Sequence, residues 1–174
     1  MKIITALLFG LFLFTLTSEN VYAQKRELTI ILLRHAEKDL SDGESNPDPV
    51  LSAEGKLRAQ RLVKTIRKYK PGAIYSSNFQ RTRSTVTPLA EKMRYPYRLP
   101  IQLYDHRKLN EFANQLLDSK MRRIVVVGHN TTTPALANLL IKQNKYKALS
   151  ESEYDKIWII KIKRGKSKDA VIQY

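Results

Sequence analysis

The sequence predicts an α/β fold: a three-layer α/β/α sandwich with a largely parallel central sheet. Three observations lead there. Apolar strand-like runs alternate with amphipathic helical spacings along most of the chain. The runs at residues 28–33 and 124–127 are apolar, interrupted only by Thr29, as in strands covered on both faces. The order reads βαβαβαβαββ, the alternation that places helices between parallel strands.

Each element has its own signal. Residues 28–33 form an isoleucine-rich first strand. Residues 39–49 are a polar loop with Gly43, Pro47 and Pro49. Ser52 is placed to cap a helix carrying Glu54 in its first turn. Ala59, Leu62, Val63 and Ile66 give that helix one apolar face, and Arg58, Arg61, Lys64, Arg67 and Lys68 give it a solvated basic one. Pro71-Gly72 ends it before a short strand at 73–76. Asn78 is expected to cap the helix that carries Arg81, with Pro88 ending or kinking it. A weak strand at 99–103 precedes a helix with Leu109, Phe112, Ala113, Leu116 and Leu117 on its inner side. The next strand spans 122–127. Thr133 is expected to cap the last helix, with Pro134 at its first position and Leu136, Leu139 and Leu140 facing inward. Residues 157–162 read as a strand that pairs with 170–174 through a turn near Gly165.

The amino terminus has the layout of an export signal. A lysine precedes an apolar run at 3–16, polar residues follow, and Val21-Tyr22-Ala23 offers a small-residue cleavage site. The run is shorter than the roughly 20 residues a membrane span needs. The expectation is a signal peptide at 1–23, an exported protein that is periplasmic or secreted, and one catalytic domain at 24–174. No cysteine is present, so an oxidising compartment does not bear on the fold. The net charge of +15 favours anionic surroundings, including peripheral contact with an anionic membrane surface. It gives no ground for specific nucleic-acid binding, because no aromatic RNA-binding strand or basic recognition helix accompanies it.

Two of the three histidines, His35 and His129, directly follow strand runs, within Leu33-Arg34-His35-Ala36-Glu37 and Gly128-His129-Asn130-Thr131. Ligands of such sheets bind beyond the carboxyl ends of the strands. That rule gathers Arg34, His35, His129 and the helix of Arg81 at one edge. Two guanidiniums match phosphate oxygens. A neutral imidazole can attack a phosphate dianion without charge repulsion, and the arginines should help keep one histidine neutral. The leaving alkoxide then needs a proton from an acid on the far side of phosphorus. No metal-ligand spacing and no Walker glycine pattern appears, so neither metal nor cofactor is expected.

These motifs resemble the histidine phosphatase superfamily, which includes cofactor-dependent phosphoglycerate mutases. Arg34-His35-Ala36 is similar to its Arg-His-Gly motif, with alanine in place of glycine. Ser77, Arg81, Thr82 and Thr85 match its second-arginine stretch, Gly128-His129 its second-histidine motif, and Leu51-Ser52 with Gly55 its helix start. The resemblance implies a metal-independent phosphomonoesterase in which His35 becomes phosphohistidine. Arg34, Arg81 and His129 would hold the phosphate, with Asn130 and Lys38 lining the pocket. The short region available for a substrate cap favours hydrolysis over a mutase role, and the layout is closest to the small exported members. The general acid is expected to be Asp105, with Glu111 and Glu37 as alternatives. His106 reads as a loop residue, and Tyr154-Asp155 as structural. The substrate would be a phosphorylated small molecule or an envelope glycolipid. The rival is a catalytically inactive phosphate-binding protein on the same fold; oligomeric state is left open.

Overall fold

The computed structural model describes residues 27–41, 43, 46–93 and 99–174. The expected signal peptide, residues 1–23, lies outside them. Six strands form one sheet in the order β3-β2-β4-β1-β5-β6. β1 (Leu28–Arg34), β2 (Ala73–Ser77), β3 (Ile101–Tyr104) and β4 (Arg123–Gly128) run parallel, and β5 (Lys156–Lys163) and β6 (Lys166–Gln173) complete the sheet as an antiparallel hairpin. The hairpin is longer than its sequence signal, because β6 starts at the polar Lys166 directly after the turn.

Alternation along β1 builds both cores. Ile30 and Leu32 point into one layer with Phe112 and Leu116 of α3 (Leu109–Leu117) and Leu136 and Leu140 of α4 (Thr132–Ile141). Ile31 and Leu33 point into the other, with Leu62 and Ile66 of α1 (Ala53–Ile66) and Val86 and Leu89 of α2 (Gln80–Met93). Four helices thus flank the sheet, two on each face. Every residue of β1 is buried, which accounts for a run that is apolar apart from Thr29 and the terminal Arg34.

α1 starts as the sequence predicts: the Ser52 hydroxyl accepts from Gly55 N at 3.1 Å. Local expectations are corrected at three places. α2 does not end at Pro88 but continues to Met93. A proline removes one N–H from the helical ladder, and the burial of Val86, Leu89 and Ala90 around it outweighs that loss. Asn78 does not cap α2; its side chain accepts from Arg83, and the carboxylate of Asp48, a distant loop residue, accepts from Gln80 N at 2.8 and 3.0 Å. Thr133 is inside α4, which starts at Thr132. There Thr132 accepts from His129 N, and Thr133 donates to Leu33 O, tying α4 to the ends of β4 and β1.

Arg58 departs from the solvated face read for α1. It lies against the Glu37 carboxylate with Nε–O distances of 2.7 and 2.9 Å, and both side chains are largely buried. This pair fastens α1 to the loop that follows β1.

Candidate active site

The parallel strands deliver their next residues to one edge. His35 continues the ladder from β1, donating its N–H to Gly128 O at 3.0 Å. His129 follows β4, and the two imidazole centroids are 5.5 Å apart. Both rings are almost fully buried, with 3% and 9% exposure. Gly128 is required for this approach: a Cβ there would lie 2.9 Å from the hydroxyls of Thr132, Thr133 and Tyr104.

Nδ1 of His35 lies 2.8 Å from Ala36 O. A carbonyl only accepts, so Nδ1 carries the proton and Nε2 keeps its lone pair. Burial pushes the His35 imidazole down to about 3, and the charges of Arg34, His129 and Arg81 push the same way. Burial is therefore the leading reason for its neutrality, and the arginines named in the sequence reading are secondary. His129 is also lowered to about 3, by burial first and then by Arg81. Its Nε2 lies 2.9 Å from Ser77 Oγ at the end of β2. Thr85 holds the loop from the other side, accepting from Ala36 N at 2.9 Å while donating to Arg81 O.

Arg34 is 1% exposed and stacks 4.1 Å from the centre of the Tyr154 ring. Its Nη1 donates to the carbonyls of Ser150, Glu151 and Glu153, and its Nη2 donates to the Glu151 carboxylate at 2.8 Å. Arg81 stacks 4.3 Å from the Phe79 ring and pairs with Asp48 at 3.3 Å. Both arginines keep a buried Nε–H with no hydrogen-bond partner. Asn130 lies at the same edge, with its amide donating to Glu151 at 2.7 Å, and Lys38 is 3.9 Å from that carboxylate.

The three carboxylates considered as acids are each engaged. Asp105 follows β3, but Arg107 grips both its oxygens at 2.9 and 3.0 Å and holds it down at about 2. Glu37 is locked to Arg58, which keeps its carboxyl below the usual range against the opposing effect of burial. Glu111 is solvent-exposed beside Lys108. Residues that the sequence reading set aside stand in the site instead. His106 packs edge-on to His129 at 5.4 Å and to Phe79 at 5.3 Å. Tyr154 lies 6.0 Å from His35. Glu151 was not singled out at all, yet it touches Arg34 and Asn130. The end of β3 led the sequence reading to Asp105, and His106 is one residue further on; nothing local marks Glu151.

A cleft of about 550 Å³ opens beside this cluster, lined by Lys38, Pro47, Arg81, Glu151 and Tyr154 among others. Among the described residues no group of three or more His, Cys, Asp or Glu is arranged to hold a metal ion.

Fold and site together describe an α/β sandwich with a cationic, histidine-bearing pocket at its strand ends. The profile of the histidine phosphatase superfamily (branch 1) matches residues 30–113. That span holds Arg34, His35 and Arg81 and stops before His129. Solved structures share the fold. The alpha-ribazole phosphatase from Shigella flexneri is 14% identical with a TM-score of 0.68, over 84% of this chain and 96% of that one. A mycobacterial glucosyl-3-phosphoglycerate phosphatase is 15% identical with a TM-score of 0.65, over 86% and 99%. The protein histidine phosphatase SixA complexed with tungstate is 14% identical with a TM-score of 0.64, over 84% and 97%. No match is found among curated proteins. The profile covers just under half of the chain, and the solved structures show that the fold is shared.

Proposed function

We propose that this protein is a phosphatase that hydrolyses phosphate monoesters through a phosphohistidine on His35, without a metal. One observation carries the reading. A buried neutral imidazole with a free Nε2 lone pair sits beside two guanidiniums that each hold a buried, unpartnered N–H. An unpaired buried donor is costly, and a phosphoryl oxygen satisfies it. In the first step Nε2 forms the P–N bond and the ester P–O bond breaks, its electron pair leaving with the alkoxide. Arg34 and Arg81 neutralise charge on the transferring group. When the Ser77 hydroxyl donates to His129 Nε2, His129 Nδ1 carries the proton and is a donor for that group. Water then attacks phosphorus and frees His35. A proton donor is needed at the leaving oxygen; Asp105 can serve only if its Arg107 pair opens.

The compounds named for the neighbouring structures range from a phosphosugar to phosphohistidine, and they do not narrow the substrate. We extend the proposal to a phosphorylated small molecule or envelope glycolipid met after export, with the basic surface resting against anionic headgroups. The test is turnover of p-nitrophenyl phosphate in chelator, with trapping of an acid-labile phosphoenzyme. Wild type is expected to show both, and His35→Ala neither. Phosphoryl labelling that persists in His35→Ala would overturn the assignment. Binding of inorganic phosphate with no turnover of any ester would favour the inactive binding protein.

A further inference from the structure

We propose that His106 is the proton donor to the leaving oxygen, and the base that activates water in the second step. The proposal rests on the phosphatase reading above. It starts from the order of three imidazoles along the strand-end edge. His129 is in the middle, 5.5 Å from His35 on one side and 5.4 Å from His106 on the other. In-line displacement at phosphorus needs the nucleophile and the leaving oxygen on opposite sides of the transferring group. The strand order puts His106 on the far side of His129 from His35, so a phosphoryl group attacked by His35 and held against His129 would present its leaving oxygen to that side. A donor must come within about 2.6–3.2 Å of the oxygen it protonates, and His106 is the imidazole on that side.

His106 is fixed in place. It follows β3, two residues beyond Tyr104, and its ring is half-buried between Phe79 and His129. The aromatic edge contacts hold the ring plane at 68° to Phe79 and 63° to His129. The charged groups around it are Asp105 and Arg107 on its own turn, paired with each other, and Arg81 stacked on the far partner, Phe79. An imidazole is suited to both halves of the reaction, since the same ring nitrogen can give a proton and take one back. In the first half the imidazolium proton goes to the departing alkoxide. In the second the neutral ring removes a proton from water as oxygen bonds to phosphorus and the P–N bond breaks. The ring ends protonated, ready for the next ester.

The carboxylate neighbour does not take this part: both Asp105 oxygens are bound to Arg107. The experiment compares wild type, His106→Asn and Asp105→Asn on p-nitrophenyl, phenyl and benzyl phosphates. An acidic phenol leaves without help, and a benzyl alkoxide does not. His106→Asn is expected to slow benzyl phosphate by about 10²–10⁴-fold, with less than about tenfold loss on p-nitrophenyl phosphate. Asp105→Asn should keep the wild-type leaving-group dependence. Added imidazole should restore benzyl phosphate turnover to His106→Ala. Equal losses on all three esters in His106→Asn, or the selective loss appearing in Asp105→Asn, would overturn the assignment while leaving His35 as nucleophile. A wild-type protein that forms no phosphoenzyme would overturn both readings. Retained turnover of p-nitrophenyl phosphate is the internal check that the variant is folded.

Discussion

A buried imidazole that stays neutral makes stability depend on pH in a definite direction. His35 and His129 are lowered from 6.5 to about 3, chiefly by burial. Between those values the unfolded chain binds more protons than the folded one, so acid favours unfolding. Stability from these two sites is intact above about pH 6.5 and declines as pH falls toward 3. The depressed carboxyls, Asp105 and Glu153 at about 2, withdraw their contribution only below their unfolded values of 3.8 and 4.5. The interval from pH 7 to 4.5 therefore isolates the histidines. The melting temperature should fall across it, and His129→Gln should fall less steeply in the same calorimetric series. At this scale His35 and His129 were legible because each follows an apolar strand. His106 was passed over because the strand before it led to the adjacent Asp105. Glu151 and Tyr154 reach the pocket from a turn far along the chain, a relation that spacing does not encode.

Elements were legible where their signals are local. The Ser52 cap and the apolar stripe of α1 are both read within one helix. The start of α2 was misread because its cap comes from Asp48, more than thirty residues away, and its passage through Pro88 depends on packing that propensity does not see. The seat of α1 against the loop after β1 gives a sharp test. A Cβ on Gly55 would lie 2.3 Å from Glu37 O, which is backbone and cannot swing aside. Alanine is the better helix former by about 1 kcal/mol, yet overpacking costs about 1–3 kcal/mol. Gly55→Ala should therefore lower the urea midpoint. It should also depress turnover beyond the loss of folded protein, because the displaced loop carries His35.

At the scale of the molecule, the layered sandwich and its largely parallel sheet follow from apolar patterning, whereas the order of the strands does not, and nor does the extent of β6, since its first residues are polar. The charge of +15 takes a particular form on the terminal hairpin. Lys161 faces Lys168 across the strands, and Lys163 faces Lys166. Like charges directly opposite are unfavourable, although lysines on an edge strand also deter edge-to-edge association. Lys166→Glu, which creates an opposed pair with Lys163, should raise the melting temperature at low ionic strength, and the gain should shrink as salt screens it. A gain that is the same at high salt would show that the lysine ladder is not its source.

The anchoring of Arg34 to the carbonyls of Ser150, Glu151 and Glu153 joins the two ends of the chain across a separation of more than a hundred residues. β1 itself lies between β4 and β5, both made late. Contacts so distant in sequence form slowly. A nascent chain therefore holds His35 long before it holds the groups that aim the arginine next to it. The edge of the pocket formed by Ser150, Glu151 and Glu153 can close on Arg34 only after those residues have been made.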